Sequence, residues 1–314
     1  MPGIRWRRTR KMTEAERKPP QKTARAYLHL ENIYKSYGKK VVLDDIDLQV
    51  SEGEFITLVG PSGCGKSTLL RLILGQERPT AGAISIDGLS VGLPNPDRGI
   101  VYQKYPLFPH LTVLENIMLG PRLSQNMLSL LKRKRAIRDE AMAHLDMVKL
   151  AEHGDKFPHQ LSGGMQQRVA IAQALIMKPK ILLMDEPFGA LDPGTREHLQ
   201  VFLLELWEKR HMTVFLVTHD LEEAIYLGTR ILVLSQFYCD GRGKNSERGS
   251  KIVFDEALER RATSTKAKGS EHARNLVQRI RREGFDPMYL QHITEFNLRH
   301  RDSFQTLTEE EKKR

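Results

Sequence analysis

The stretch FITLVGPSGCGKSTLLRLILG, residues 55–75, constrains this chain more than any other. FITLVG is an apolar run of the kind a strand buried on both faces requires. It leads straight into a loop with glycine at Gly60, Gly63 and Gly65. KSTLLRLILG follows with helical spacing and stops at Gly75. A buried strand, a glycine loop and a helix in that order are the context a phosphate-binding loop requires.

The loop fits the pattern G-x-x-x-x-G-K-[ST] through Gly60, Gly65, Lys66 and Ser67. Glycines let consecutive backbone N–H groups turn inward around an anion, and the N-terminus of the next helix favours negative charge. Lys66 supplies a point charge for β- and γ-phosphates, and Ser67 a hydroxyl for Mg²⁺. The whole segment Gly60, Pro61, Ser62, Gly63, Cys64, Gly65, Lys66, Ser67 and Thr68 is therefore the candidate cradle for a nucleoside triphosphate. No His or Asp pairing is visible beside Cys64, so it reads as a small loop filler rather than a nucleophile.

The complementary half is ILLMDEP, a buried strand that delivers Asp185 and Glu186 at its C-terminal end, where open sheets place ligands. Asp185 suits Mg²⁺. Glu186 suits a general base toward an attacking water.

Around these two segments, YLHLENIYKSYG and VVLDDIDLQV alternate as half-buried antiparallel strands do. AISIDG and RGIVYQ read as a second sheet unit. From about 106 to 178 the pattern turns helical, with Ile137, Ala141, Leu145 and Val148 on one face. EHLQVFLLELWEKR reads as a helix, and TVFLVTHD and ILVLSQ as further strands. Strands alternating with helices predict a parallel α/β sheet carrying a helical insertion, and no internal repeat is visible. After Gln236 the pattern weakens, with SEHARNLVQRIRREG as one amphipathic helix.

Charge and cysteine content narrow the setting. The formal charge is +10, and residues 1–26 hold nine Lys/Arg against Glu14 and Glu16. That segment reads as a disordered basic arm. Two cysteines give no disulfide framework, which fits a reducing cytosol. No run approaches the ~18 apolar residues of a membrane span, and no secretory leader follows the basic start.

LSGGMQQR, residues 161–168, resembles the signature motif of ATP-binding-cassette (ABC) ATPases, and the other cassette elements stand in order around it. Tyr37 matches the aromatic that stacks on adenine, Gln103 in VYQ the glutamine loop, Leu191 and Asp192 in ALD the D-loop, and His219 in VTHD the switch histidine. The resemblance covers about residues 27–236. It implies an α/β fold: a P-loop NTPase (RecA-like) core with an antiparallel β subdomain and a helical signature subdomain at about 106–178. On this reading the ATPase domain spans 27–250, with a basic arm at 1–26 and a C-terminal extension of unknown role at 251–314.

The resemblance further implies ATP and Mg²⁺, with Ser67, Gln103 and Asp185 toward the metal and Glu186, His219 and Gln103 in catalysis. Two cassettes, this chain with a second copy of itself or with a homologous cassette, would pack head to tail, bringing Ser162, Gly163, Gly164 and Gln166 of one, with its Asp192, to the nucleotide of the other. PLFPHLTVLEN after Gln103 resembles the groove around Leu107, Phe108 and Pro109 that receives integral membrane permease subunits. A solute-binding protein would then act only indirectly, and the chain would lie peripherally on the cytoplasmic face of the cell (inner) membrane. PDRGIVYQ and LLMDEPFGALD resemble most closely the ATPase subunits of nitrate, sulfonate and taurine-type importers. The alternative is a soluble cassette ATPase acting on nucleic acid or ribosomes. Only 58 positions separate Gln103 from Leu161, too few for the coiled coil of Rad50-like proteins, and one cassette is present where cassette translation factors have two. Nucleic acid is therefore not the expected partner.

Overall fold

The computed structural model describes residues 26–104, 107–124, 127–242, 248–258, 271–309 and 311–312. The expected basic arm lies outside the described residues apart from Ala26, and so does Pro106 at the start of the expected insertion.

The first layer is antiparallel. β1 (Leu28–Tyr37) pairs with β2 (Lys40–Val50) on one side and with β4 (Ala81–Ile86) on the other. β5 (Leu89–Ser90) closes a hairpin on β4. The turn is Asp87–Gly88, both at positive φ (50° and 76°), the conformation that Asp-Gly supplies in tight hairpins.

The second layer is a seven-stranded sheet. Beside the three strands β3 (Phe55–Val59), β6 (Arg98–Val101) and β7 (Ile181–Asp185) it holds β8 (Thr213–Val217), β9 (Arg230–Ser235), β11 (Lys251–Ala257) and β13 (Asn297–Leu298). Their order is β13-β11-β9-β3-β8-β7-β6. The five strands from β9 to β6 are parallel, and β3, lying between β8 and β9, is buried at all five residues. The all-apolar strand pattern has its cause here, since helices and the antiparallel layer cover both faces. AISIDG and RGIVYQ, expected as one sheet unit, divide between the layers. The β4–β5 hairpin uses the free edge of β4, and the chain then crosses to the edge of the large sheet, where Lys180 and Ile181 N–H donate to Asp97 O.

The insertion is helical: α2 (Val113–Leu123), α3 (Met127–Met147) and α4 (Gly163–Leu175). Thr112 and Glu115 form a capping box at the start of α2, satisfying two otherwise orphaned donors. Ile137, Ala141, Leu145 and Val148 are all buried against α2 and α4, as their spacing predicts.

The chain continues differently after Gln236 than the sequence suggests. β10 (Tyr238–Cys239) pairs with β12 (Gln291–His292), and β13 adds in parallel to β11. The boundary expected at residue 250 falls one position before β11, which pairs antiparallel with β9; the first residues of the expected extension are thus part of the central sheet. SEHARNLVQRIRREG forms α7 (Glu271–Ile280) and then a wider turn over Arg281–Phe285. Leu276 and Ile280 of α7 share a core with Val59, Val233 and Leu221.

Polar ties fasten these later residues to the first layer. β2 buries three carboxylates, Asp44, Asp45 and Asp47. Asp44 pairs with Arg242 at 2.7 Å, Asp45 with Lys251 at 3.2 Å, and Asp47 accepts from the Thr306 N–H. Lys251 also meets Glu311 at 3.3 Å. Arg230 makes a bidentate pair with Asp255 at 2.7 and 2.6 Å, and Ser303 donates to the same carboxylate. Buried charges are tolerated here because each is paired and hydrogen-bonded.

Candidate functional site

The glycine loop leaves β3 at its C-terminal end and enters α1 (Lys66–Leu74). Gly60 adopts φ 152°, and a Cβ there would lie 2.0 Å from Leu234 O, so no side chain fits. Gly65 sits at φ 95° as the N-cap of α1, where a Cβ would meet Val42 and Leu43 of β2 at 2.8 Å. The glycines are there for close approach as well as for conformation. Lys66 folds back over the loop, its Nζ donating to Gly60 O at 2.8 Å and Pro61 O at 2.9 Å. The side chains of Cys64 and Thr68 are buried, so these positions face any ligand through backbone alone. Burial raises the Cys64 thiol, with Lys66 only partly opposing it, which leaves an unreactive filler as the sequence suggested.

The C-terminal ends of β6, β7 and β8 converge beside the loop. Asp185 ends β7, with Ser67 hydrogen-bonded to it. Burial and then the Glu186 charge raise its carboxyl, while Ser67 and Lys66 act the other way. Glu186 stands at φ 49°, a strained setting for a non-glycine residue. Its N–H donates to Val217 O and its C=O accepts from Gln167 Nε2 at 3.2 Å. One carboxylate oxygen, Oε2, accepts from Gln103 Nε2 at 3.1 Å and lies 3.4 Å from His219 Nδ1. Gln103 follows β6 and His219 follows β8, so the strands on either side of β7 each send one residue to the carboxylate that β7 delivers.

Ser162 and Asp192 cap helices. Ser162 Oγ accepts from Met165 N–H at 3.3 Å at the start of α4, and Asp192 from Thr195 N–H at 3.0 Å at the start of α5 (Pro193–Arg210). That bond leads the causes holding Asp192 below the usual carboxylate range. A Cβ on Gly164 would lie 3.3 Å from Leu191 Cδ2, so the two caps occupy neighbouring ground. Ser162, Gly163 and Asp192 are exposed. Among the described residues no hydrogen bond or ion pair joins them to residues 60–68 of the same chain. Gln166 turns its amide onto Pro158 O and Leu161 O at 2.9 and 3.3 Å, and so braces the turn before α4.

Tyr37 lies at the β1–β2 hairpin, five residues from Val42. It is 45% exposed, with Lys35 Nζ 4.9 Å from its ring centroid. Its hydroxyl is held by Glu77, which also pairs with Lys35 and Arg71. Leu107 packs against the helical core, and Phe108 is 43% exposed beside His110. Phe108 N–H and C=O are both bonded to the buried Asn116 side chain, which fixes the exposed ring on a rigid loop.

Sequence reasoning missed Gln167, Glu77 and a buried chain of Thr218, Glu223 and Gln200. Gln167 stands inside LSGGMQQR and Glu223 four positions past His219; neutral or solitary polar residues give no pattern on their own.

The donor set at Ser67, Asp185 and Gln103 is a hydroxyl, a carboxylate and an amide oxygen, the hard oxygen ligands that Mg²⁺ takes. The half-buried Asp185 carboxyl, whose ionisation desolvation disfavours, fits a site completed by a cation.

A family model described as ABC transporter matches residues 43–189. The nitrate import ATP-binding protein NrtD of Synechococcus elongatus is 41% identical over 240 residues, covering 75% of this chain and 85% of that protein. The bicarbonate transport ATP-binding protein CmpC of the same species is 49% identical over 215 residues, covering 67% of this chain. The chain spans only 32% of that relative's length. Among solved structures, the ATP-binding cassette MJ0796, as a dimer bound to ADP and Pi, aligns with TM-score 0.63 and 34% identity, covering 74% of this chain and 99% of the other. Among the described residues no helix is long and apolar enough to cross a membrane.

Proposed function

Because the chain belongs to the ABC transporter family, we propose that it is the ATP-hydrolysing subunit of a bacterial importer for a small anion or organic solute, working on separate membrane subunits. The observation that carries this reading is the convergence of Gln103 and His219 on Glu186 Oε2, next to the loop of Lys66.

In this reading the 60–68 loop binds the triphosphate of ATP. Lys66 exchanges the Gly60 and Pro61 carbonyls for phosphate oxygens, and Tyr37 stacks on the adenine. Ser67, Asp185 and Gln103 hold Mg²⁺, which when bound neutralises phosphate charge and polarises the terminal phosphorus. Glu186 takes the proton from the attacking water at its carboxylate. Gln103 and His219 fix the direction of that carboxylate, and His219 also donates to the terminal phosphate. Products are ADP and phosphate.

Ser162, Gly163 and Asp192 are exposed at helix starts and Gly164 is half-buried beside them, a group suited to meet the nucleotide of a second copy of the chain. ATP then joins two copies and hydrolysis releases them. The loop around Leu107, Phe108 and Pro109 receives a helix of the membrane subunit, which holds this chain peripherally on the cytoplasmic face of the membrane. NrtD and CmpC support an anion as cargo by their names.

The test is co-purification from membranes together with ATPase assay. The expected result is a complex with a multi-span membrane protein whose ATPase activity rises when solute and its binding protein are added. An active ATPase that stays free of membrane protein and binds RNA or DNA with a steep salt dependence would replace this reading.

A further inference from the structure

Glu223 is a carboxylic acid only 6% exposed, in α6 (Leu221–Leu227). Its two oxygens are both used. One accepts from Thr218 Oγ1 at 2.5 Å and the other from Gln200 Nε2 at 2.7 Å. Thr218 directly precedes His219, and its hydroxyl also accepts from the Asp220 N–H at 3.1 Å. Asp220 in turn caps α6 through the N–H groups of Glu222 and Glu223. The residues on both sides of His219 therefore hang from one buried carboxyl group.

The other end of the chain of bonds reaches α5. Gln200 lies a little over two turns into that helix, whose N-cap is Asp192. A narrow cleft between the two helices is bounded by Glu186, His219, Arg196 and Glu223. An apolar side chain of similar volume would fill the place of Glu223 without the cost of burying an acid. What the acid adds is direction: two fixed hydrogen bonds at once, one to the His219 segment and one to the Asp192 helix. Burial pushes the Glu223 carboxyl up against the bond from Thr218, so the group is held at some expense.

We propose that Glu223 is a positioning residue that ties the His219 segment to α5, so that the place of His219 against Glu186 follows the helix that begins at Asp192. This rests on the ATPase reading above. It adds to it that the exposed Asp192 face and the reacting centre of one copy are joined through Gln200–Glu223–Thr218. A second copy seated on Asp192 thereby sets His219.

The test compares steady-state ATP hydrolysis by the parent, Glu223→Leu, Glu223→Gln and Gln200→Met. Glu223→Leu is expected to lower kcat about tenfold, with KM for ATP within about twofold of the parent. Gln200→Met should lower kcat in the same sense. Glu223→Gln keeps an acceptor for Gln200 and an N–H that the rotatable Thr218 hydroxyl can accept, so it should recover most of the rate. In a His219→Ala background, Glu223→Leu should cost nothing further, because its effect passes through His219. Equal losses in both backgrounds, or parental kcat in Glu223→Leu, overturn the proposal. So does a Glu223→Gln variant no better than Glu223→Leu. Should Glu223→Leu melt at a much lower temperature, Gln200→Met and Thr218→Val carry the comparison. A parent with no ATPase activity in the full complex would instead count against the ATPase reading, which the parent measurement alone decides.

Discussion

Gln103 Nε2 donates to Glu186 Oε2 at 3.1 Å, tying the end of β6 to the end of β7. The two residues stand 83 positions apart in sequence, and the whole helical insertion lies between them. Any shift of the insertion that moves Gln103 is thus felt at the carboxylate expected to take the proton.

Glu186→Gln keeps the size of the side chain and removes its basicity. Hydrolysis should fall by about 10²–10⁴, while ATP binding persists and the chain accumulates as an ATP-dependent dimer. Gel filtration with and without ATP, alongside phosphate release, checks both halves. Parental turnover by this variant would assign the base elsewhere.

Lys66→Ala removes the ammonium that now rests on Gly60 O and Pro61 O. A charge-assisted hydrogen bond is worth roughly 1.5–3 kcal/mol, so affinity for a fluorescent ATP analogue should drop about 10–100-fold. Unchanged affinity would remove the lysine from the phosphate site.

Ser162→Arg places a long cation on the exposed N-cap of α4. A titration of the monomer should show nucleotide binding close to the parent, since Ser162 has no bond to the 60–68 loop of its own chain among the described residues. The ATP-dependent dimer should be lost when the substitution is combined with Glu186→Gln. A dimer of normal stability would locate the interface on another face.

Asp240 provides a pH signature. Burial alone would raise its carboxyl, but hydrogen bonds from Arg248 and Arg242 outweigh that and hold it at about 2. A carboxyl depressed in the folded state contributes stability above its unfolded value of ~3.9, and the contribution is lost as pH falls from there to about 2. Asp240→Asn should therefore be less stable than the parent by about 1–2 kcal/mol at pH 7. The gap, measured by urea unfolding, should close on acidification between pH 4 and 2. A gap that persists at pH 2 would mean Asp240 acts through packing.

The parts of this molecule that could be read in the sequence are those whose cause is local. FITLV followed by glycines and a helix announces itself because strand, loop and helix are contiguous, and the loop glycines are needed where they stand. Ile137, Ala141, Leu145 and Val148 fall on one helix face by spacing alone. Asp185, Glu186, Gln103 and His219 are found by motif, and the fold then brings them together. What the sequence hides is long-range. β12 and β13 are two residues each, too short for a pattern, and exist because β10 and β11 offer free edges. Asp44, Asp45 and Asp47 read as ordinary polar positions of a half-buried strand; their burial depends on Arg242, Lys251 and Thr306, some 200 residues away or more. Glu223 looks like any surface acid of a short helix until Gln200 and Thr218 close over it.

The ties from residues 302–311 back to β1, β2 and β11 give this chain an order of completion. Phe304 stacks on His29 with ring centroids 5.3 Å apart, Thr306 reaches Asp47, and Glu311 reaches Lys251. During synthesis the 60–68 loop emerges roughly 240 residues before those clasps, at ~5–20 residues per second. The antiparallel layer next to the loop then waits many seconds with Asp44, Asp45 and Asp47 lacking Arg242, Lys251 and Thr306. A nascent chain still on the ribosome would have its phosphate loop but not the finished wall beside it.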